Sequence, residues 1–301
     1  MDRVLVPYDF SPNSRRACAL AMQGVPFGMK VGIELLHVID DDLYANVLAS
    51  KYVPTTDAID SYLADELIRI RAEIAVAHGL DQPKLLEPHR VITRGRPHVV
   101  IDDRLHAPGV IGALLGGQGH SGAMENLLGR TAQRVIRHAS SPVLVVKNPT
   151  SLTPPTRLVA AVDWSSNSAR ALLFAARLRD AQAGLLSILH VIDSPFVPYV
   201  QAFAHERDAR EALDHLREEQ LVQLGRFVDR TLAEFTGSRE AHTLAVVFGD
   251  PAITIATQAQ TLLAQLIVVG SHGTTDLSRY LLGSTAEKLV TAAACDVLVV
   301  P

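Results

Sequence analysis

The sequence predicts an α/β protein made of two repeated doubly wound domains. Three observations carry that prediction. Gly116, Gly119 and Gly129 recur 154 positions on as Gly270, Gly273 and Gly283. The same offset relates residues 3–14 to 157–168, Gly95-Arg96-Pro97 to Gly249-Asp250-Pro251, and 143–146 to 297–300. Short apolar runs alternate with segments of helical period, the pattern of parallel strands joined by crossover helices. His37-Val38-Ile39-Asp40 maps onto His190-Val191-Ile192-Asp193 with an offset of 153, so one residue was gained or lost on the way. Each copy has the size of a compact domain. The expected division is a first domain over 1–147, a linker over 148–156 rich in Pro, Ser and Thr, and a second domain over 157–301.

The second half shows the elements most plainly. Residues 157–162 read as a buried strand, and Asp163-Trp164-Ser165 leaves it. Residues 166–180 place Ala169, Leu172, Leu173, Ala176 and Leu178 near the helical period. A second strand covers 185–192, with Pro195 and Pro198 punctuating the loop beyond. A long amphipathic helix over 205–235 sets Leu213, Leu216, Leu221, Leu224, Val228, Leu232 and Phe235 on one side. Its charges read as a solvated face. The third strand covers 241–248. Pro251 opens the next helix, where its missing N–H costs nothing. Residues 266–269 form the fourth strand. A glycine loop follows, then a helix from 285 to about 294 and a last strand over 296–300.

Composition narrows the function. Apolar residues make up 48% and charged residues 20%, as in a globular α/β protein. The net charge of −4 gives no electrostatic reason to expect nucleic acid or an anionic membrane as a partner. No apolar run is long enough to span a bilayer. The chain enters a strand right after Met1-Asp2-Arg3, so no signal peptide is expected. Cys18 and Cys295 are isolated in helix-like contexts and read as small apolar residues. Neither a disulfide nor a metal site follows from them, and a reducing cytoplasm is the expected compartment.

The chemistry centres on Gly270-Ser271-His272-Gly273, nine further residues, and Gly283-Ser284. The loop joins a buried strand to a helix N-terminus. Glycine permits tight turns and close approach of a ligand, and the N–H groups of the first helical turn point at an anion. Ser284 and Thr285 can add hydroxyl donors at the cap. No Gly-Lys-Ser/Thr follows, and the glycine spacing is not that of a dinucleotide fold. In a doubly wound sheet the ligand lies beyond the carboxyl ends of the strands, where the strand order reverses. Asp163 and the glycine loop would flank that crevice if their strands are neighbours.

These residues carry a resemblance. Val162-Asp163-Trp164-Ser165, His190-Val191-Ile192-Asp193, Gly249-Asp250-Pro251, the Gly-x2-Gly-x9-Gly-Ser loop and the closing Val297-Leu298-Val299-Val300 resemble the universal stress protein family. The resemblance covers both halves. It implies an open sheet of five parallel strands per domain, in the order 3-2-1-4-5, with helices on both faces. It implies bound ATP, with Mg2+ or Mn2+ at the phosphates. It implies an intramolecular pseudo-dimer through the last strands, 143–146 and 297–300, and leaves a homodimer open. Carried over residue by residue, Asp163 contacts the adenosine end and Val191 holds adenine through its backbone. Gly270, Gly273 and Gly283 form the phosphate loop, with Ser284 and Thr285 donating to phosphate oxygens. From local sequence alone Asp163 reads as evenly for a structural residue, a helix cap or an exposed turn, as for a ligand contact, and the glycine loop tips the reading to binding. His272 either touches phosphate or is a spectator, while His37 and His190 read as satisfied structural histidines.

The first half keeps Asp9, Val38, Gly116, Gly119, Gly129 and Thr131, but has Arg130 where the second half has Ser284. The guanidinium either forks onto phosphate oxygens or fills their place. Gly112 reads as an interruption of the fourth strand. Residues 116–122 are rich in glycine, and ordering such a loop costs more entropy. Nucleotide is therefore expected in the second half, and weakly or not at all in the first.

No nucleophile with a base, no metal-ligand spacing and no Walker lysine is read, so no catalytic residue and no protein metal ligand is assigned. The expected function is an ATP-binding stress-response regulator acting on an unidentified protein partner, and not an enzyme, with slow hydrolysis left open. The alternatives are a nucleotide-independent adaptor and a weak or autophosphorylating ATPase.

Overall fold

The computed structural model describes residues 2–41, 54–79, 84–119, 128–193, 206–237, 242–273 and 282–301. It divides into two compact units, Met1–Pro154 and Pro155–Pro301. In the first, β1 (Arg3–Pro7), β2 (Gly32–Asp40), β3 (Pro88–Gly95), β4 (Val110–Gly116) and β5 (Val143–Val146) lie in the order β3-β2-β1-β4-β5, all parallel. In the second, β6 (Arg157–Ala161), β7 (Leu185–Ile192), β8 (His242–Phe248), β9 (Leu266–Gly270) and β10 (Asp296–Val300) lie in the order β8-β7-β6-β9-β10, again all parallel. Each unit is thus a doubly wound sheet in the order 3-2-1-4-5, as the resemblance implied. The helices of the first unit are α1 (Pro12–Met22), α2 (Thr56–His78), α3 (Pro97–Leu105) and α4 (Arg130–His138). Those of the second are α5 (Ser166–Ala181), α6 (Glu206–Thr231), α7 (Pro251–Thr261) and α8 (Ser284–Ala292). Helix α1 packs with α2 and α3 with α4, while α5 packs with α6 and α7 with α8, so two helical layers cover each sheet.

Local chemistry explains these elements. Val4, Leu5 and Val6 of β1 and Leu158–Ala161 of β6 are buried, as central parallel strands must be. Ser11 caps α1 and Ser165 caps α5, each hydroxyl accepting the N–H three residues on, at 3.2 and 3.0 Å. Such a cap contributes about 1 kcal/mol. Helix α1 stops at Met22 because Gly24 is left-handed (φ 78°) and Pro26 follows. Helix α5 runs on to Ala181 and a three-residue turn leads into β7. The different exits from α1 and α5 account for the 153-residue offset at β2 and β7.

Several expectations shift. Helix α6 is described from Glu206 and ends at Thr231 rather than 235; His205 lies outside the described residues, as do Ala241, Pro195, Pro198 and residues 120–122. Leu221 stands on the outside of α6, 39% exposed, and Phe227 is buried instead, because the face set by Leu224, Val228 and Leu232 passes through position 227. Helix α8 ends at Ala292, with Ala293 already extended (φ −63°, ψ 136°), and Cys295 lies in the bend before β10 rather than in a helix. Gly112 does not interrupt β4. It sits beside a register shift against β1, and a Cβ there would overlap the Phe27 ring.

One consequence positions the site. Strand β1 ends at Pro7 opposite Leu36, while β2 continues to Asp40. Strand β6 ends at Ala161 opposite Leu189, while β7 continues to Ile192. With β4 and β9 on the other side, a crevice opens at each point where the order reverses.

Candidate functional site

Asp9 and Asp163 stand at the mouths of these crevices. Asp9 Oδ1 accepts the Ser11 N–H (3.0 Å) and Asp163 Oδ1 accepts the Ser165 N–H (3.1 Å). Neither is the helix cap, which is the serine two residues on. The other carboxylate oxygen faces the glycine loop. A Cβ on Gly119 would lie 2.9 Å from Asp9 Oδ2, and one on Gly273 would lie 2.6 Å from Asp163 Oδ2. The second glycine of each loop is therefore glycine because the aspartate presses against it.

The residue after each aspartate is aromatic and left-handed, Phe10 at φ 64° and Trp164 at φ 69°. That conformation costs roughly 1–2 kcal/mol for a residue with a Cβ. The turn lays the ring on the histidine of the second strand, with centroids 4.8 Å apart for Phe10 and His37 and 4.3 Å for Trp164 and His190. Each histidine Nδ1 donates to a carbonyl at the end of the first strand, Tyr8 or Val162, at 2.8 Å. Burial holds the His190 pKa below the ordinary histidine value, against the opposing pull of the Val162 hydrogen bond and of Asp163. These histidines brace the aromatic turns. The turns themselves were missed in the sequence, where only the matched positions of Phe10 and Trp164 hint at them.

The three glycines of each loop have different duties. Gly116 and Gly270 end β4 and β9 against a helix start, where a Cβ would lie 2.8 Å from the Ser14 nitrogen or 2.9 Å from that of Ser168. Their lack of a side chain is required by packing. The next residues tie the loop down: Gly117 and Ser271 donate to Val146 and Val300 carbonyls at 2.7 Å. The arms are closed by Gly129 N–H on Gly117 O (2.7 Å) and Gly283 N–H on Ser271 O (2.8 Å). Gly129 (φ −63°) and Gly283 (φ −61°) have ordinary backbone angles and are the N-caps of α4 and α8, with no side chain to cap the first turn. A Cβ on Gly129 would meet nothing closer than Gly117 O at 3.4 Å and Gly119 N at 3.8 Å. It would fit the protein and stand between the arms of the loop. Arg130 and Thr131, and likewise Ser284 and Thr285, are the first two helical residues.

Ser271 Oγ lies 2.7 Å from His272 Nδ1 and accepts from Asn167 Nδ2 at 3.2 Å; the residue is 4% exposed. His272 Nε2 is buried without a partner among the described residues. Val191 is paired with Val247 across β7 and β8.

In the first unit these elements enclose a cavity of about 620 Å³. Its wall brings together Asp9, Val38, Gly116, Gly119, Gly129, Arg130 and Thr131. Arg130 lies on the wall of an open space. The volume is that of a small-molecule site. Among the described residues no group of three or more His, Cys, Asp or Glu could hold a metal ion.

The model of the universal stress protein family matches residues 1–147 and again 155–301. The chain belongs to the universal stress protein family. Universal stress protein YxiE of Bacillus subtilis is 28% identical over 144 residues, covering 48% of this chain and 97% of that protein. Universal stress protein A homolog 1 of Coxiella burnetii is 31% identical over 153 residues, covering 48% of this chain and 94% of that one. Relatives of this kind match one half of the chain. A crystal structure of a universal stress protein from Archaeoglobus fulgidus shares the fold over 99% of this chain and 97% of its own, at 22% identity and a TM-score of 0.61. This tandem universal stress protein is accordingly assigned to the stress response. No helix among its described residues is long and apolar enough to cross a membrane.

Proposed function

We propose that this universal stress protein binds ATP as a regulatory ligand, with the polyphosphate held at the Gly-x2-Gly-x9-Gly-Ser loop of the second half. The observation that supports this best is the third glycine. Gly129 and its counterpart Gly283 are glycine where the backbone angle is ordinary, and at Gly129 the protein leaves room for a side chain. What a side chain there would occupy is the cradle at a helix N-terminus, the natural seat of a phosphate. Ser284 and Thr285 would add hydroxyl donors, Asp163 would take the hydroxyls of the ribose, and the backbone of Val191 would hold the base. A divalent cation, Mg2+ or Mn2+, would be carried by phosphate oxygens, since the described residues offer no cluster to ligate it. It would neutralise phosphate charge. ATP is read here as a ligand; Ser271, held from both sides and 4% exposed, offers it no exposed hydroxyl nucleophile. Occupancy would change the surface shown to a protein partner.

The test is the nucleotide content of freshly purified protein, read by acid extraction and chromatography per chain. One or two ATP per chain agrees with the reading. No nucleotide, together with no uptake of ATP in a titration with Mg2+, returns the protein to the adaptor alternative.

A further inference from the structure

The two halves repeat the same loop with different charge at its anion end. We infer that the first half is also a nucleotide site, specialised for ligands with more phosphate charge than the second half selects. This rests on the nucleotide reading above.

The first-half cavity is open and Arg130 lies on its wall. Arg134 follows one helical turn on, which puts it on the same side of α4. Its Nη1 lies 3.2 Å from His98 Nε2, in the first turn of α3. Pro97 and Ile101 of α3 also line the cavity, and Arg96 is that helix's N-cap. Helix α4 contains no acidic residue. The second half has Asp250 in place of Arg96, Ala252 in place of His98, Ser284 in place of Arg130 and Lys288 in place of Arg134. It also has Glu287 in the first turn of α8, where the first half has Gln133. The carboxylates on the cavity wall, Asp9 and Asp40, have counterparts in Asp163 and Asp193 and do not separate the halves. Asp102 and Asp103 of α3 are not part of that wall, and Asp102 lies toward His106. Of these cations only Arg130 lies on the cavity wall, so the first site gains one fork-shaped donor there, where the second half has the Ser284 hydroxyl with Glu287 one turn on. A guanidinium discriminates by the charge and number of phosphate oxygens it can pair. The class of ligand is a nucleoside triphosphate or a still more highly phosphorylated nucleotide.

The experiment uses full-length chains. Gly283→Leu fills the second cradle and leaves the first; Gly129→Leu does the reverse. Each is titrated with ATP and with AMP at low and high salt. The first-half site should show a ratio of ATP to AMP affinity at least about tenfold larger than the second-half site, the effect of one strong charge-assisted pair. Its ATP affinity should also fall more steeply with salt. Adding Arg130→Ser to the Gly283→Leu chain should bring the ratio down to that of the second half. Arg130 is exposed at the first helical position, so the thermal midpoint confirms that this variant remains folded. Equal ratios in the two halves, or a ratio unmoved by Arg130→Ser, overturn the inference. So does ATP uptake by the Gly129→Leu chain with none by Gly283→Leu, an outcome that leaves the proposed function standing. Absence of uptake by the unaltered protein overturns both.

Discussion

A methyl group added at Gly273 would lie 2.6 Å from Asp163 Oδ2, whereas one added at Gly129 would meet nothing closer than 3.4 Å. The two substitutions should therefore separate stability from binding. Gly273→Ala forces the aspartate or the loop to move and should cost roughly 1–3 kcal/mol in denaturant unfolding. Gly129→Ala should leave the unfolding curve close to that of the parent and weaken nucleotide at the first-half cradle. Equal losses of stability in both would remove the distinction. Histidine 190 makes a second case at this scale. Its folded pKa lies below its value in an open chain because burial disfavours the imidazolium. The unfolded state then binds the proton more readily, so stability is whole above about pH 6.5 and declines as pH falls toward the folded pKa. A chain with His190→Gln should lose that part of the decline in thermal midpoints measured across this range. Trp164, the one tryptophan in the chain, lies against the ring and should report its protonation by fluorescence. The glycine spacing was open to sequence reading because it repeats. The left-handed Phe10 and Trp164 were not, since no periodicity or propensity marks a positive φ on an aromatic residue.

At the scale of elements, both halves hold the helix over the first aromatic turn by an edge-on ring contact, Phe10 with Tyr62 of α2 at 5.3 Å in the first, and the first half adds a charged tie. In the second, Trp164 meets Phe227 of α6 edge-on at 5.5 Å. In the first, α2 is also tied by charge: Arg15 of α1 donates to Glu66 and, with both terminal nitrogens, to Glu73 (2.6 and 2.9 Å), and the Tyr8 hydroxyl is 3.5 Å from Glu66 Oε1. Burial, then the Glu66 charge, push the Tyr8 pKa well above the ordinary phenol value. Burial likewise pushes the neighbouring Cys18 thiol up to about 12, so it stays neutral and packs as an apolar group. Glu66→Ala strands the Arg15 Nε and the Tyr8 hydroxyl together and should cost about 2 kcal/mol. Glu66→Gln keeps an acceptor and should cost less. Urea unfolding of the pair decides it, and equal losses would mean that side-chain volume rather than hydrogen bonding holds α2. The aligned positions, Ala169 for Arg15 and Val162 for Tyr8, gave no sign of this network, because its third member lies on the helix where the halves diverge most. Phe227 went unassigned for a related reason. Leu221 and Leu224 both fit a loose apolar stripe, and the buried face is the one that Leu224, Val228 and Leu232 share with Phe227 against Trp164.

For the molecule as a whole, duplication was the easiest property to read, since an offset of 154 survives across strands, turns and caps that share no composition. What duplication hides is divergence in the sites, which depends on single residues such as Arg130 and Ser284. Linkage exposes it. A ligand that binds the folded state alone stabilises it by about 2.7 kcal/mol at a concentration one hundred times its dissociation constant. For a domain of this size that corresponds to a rise in midpoint of roughly 5–10 °C. ATP with Mg2+ should therefore raise the thermal midpoint of the unaltered chain. Gly283→Leu should remove the part of the rise that depends on the second half, and the double variant with Gly129→Leu should remove all of it. Both glycines have backbone angles open to any residue, so the double variant without ATP should melt within a few degrees of the parent. A double variant that still gains stability from ATP would place the nucleotide away from the glycine loops. One that melts far below the parent without ligand would show that the third glycine serves packing, as Gly116 and Gly270 do.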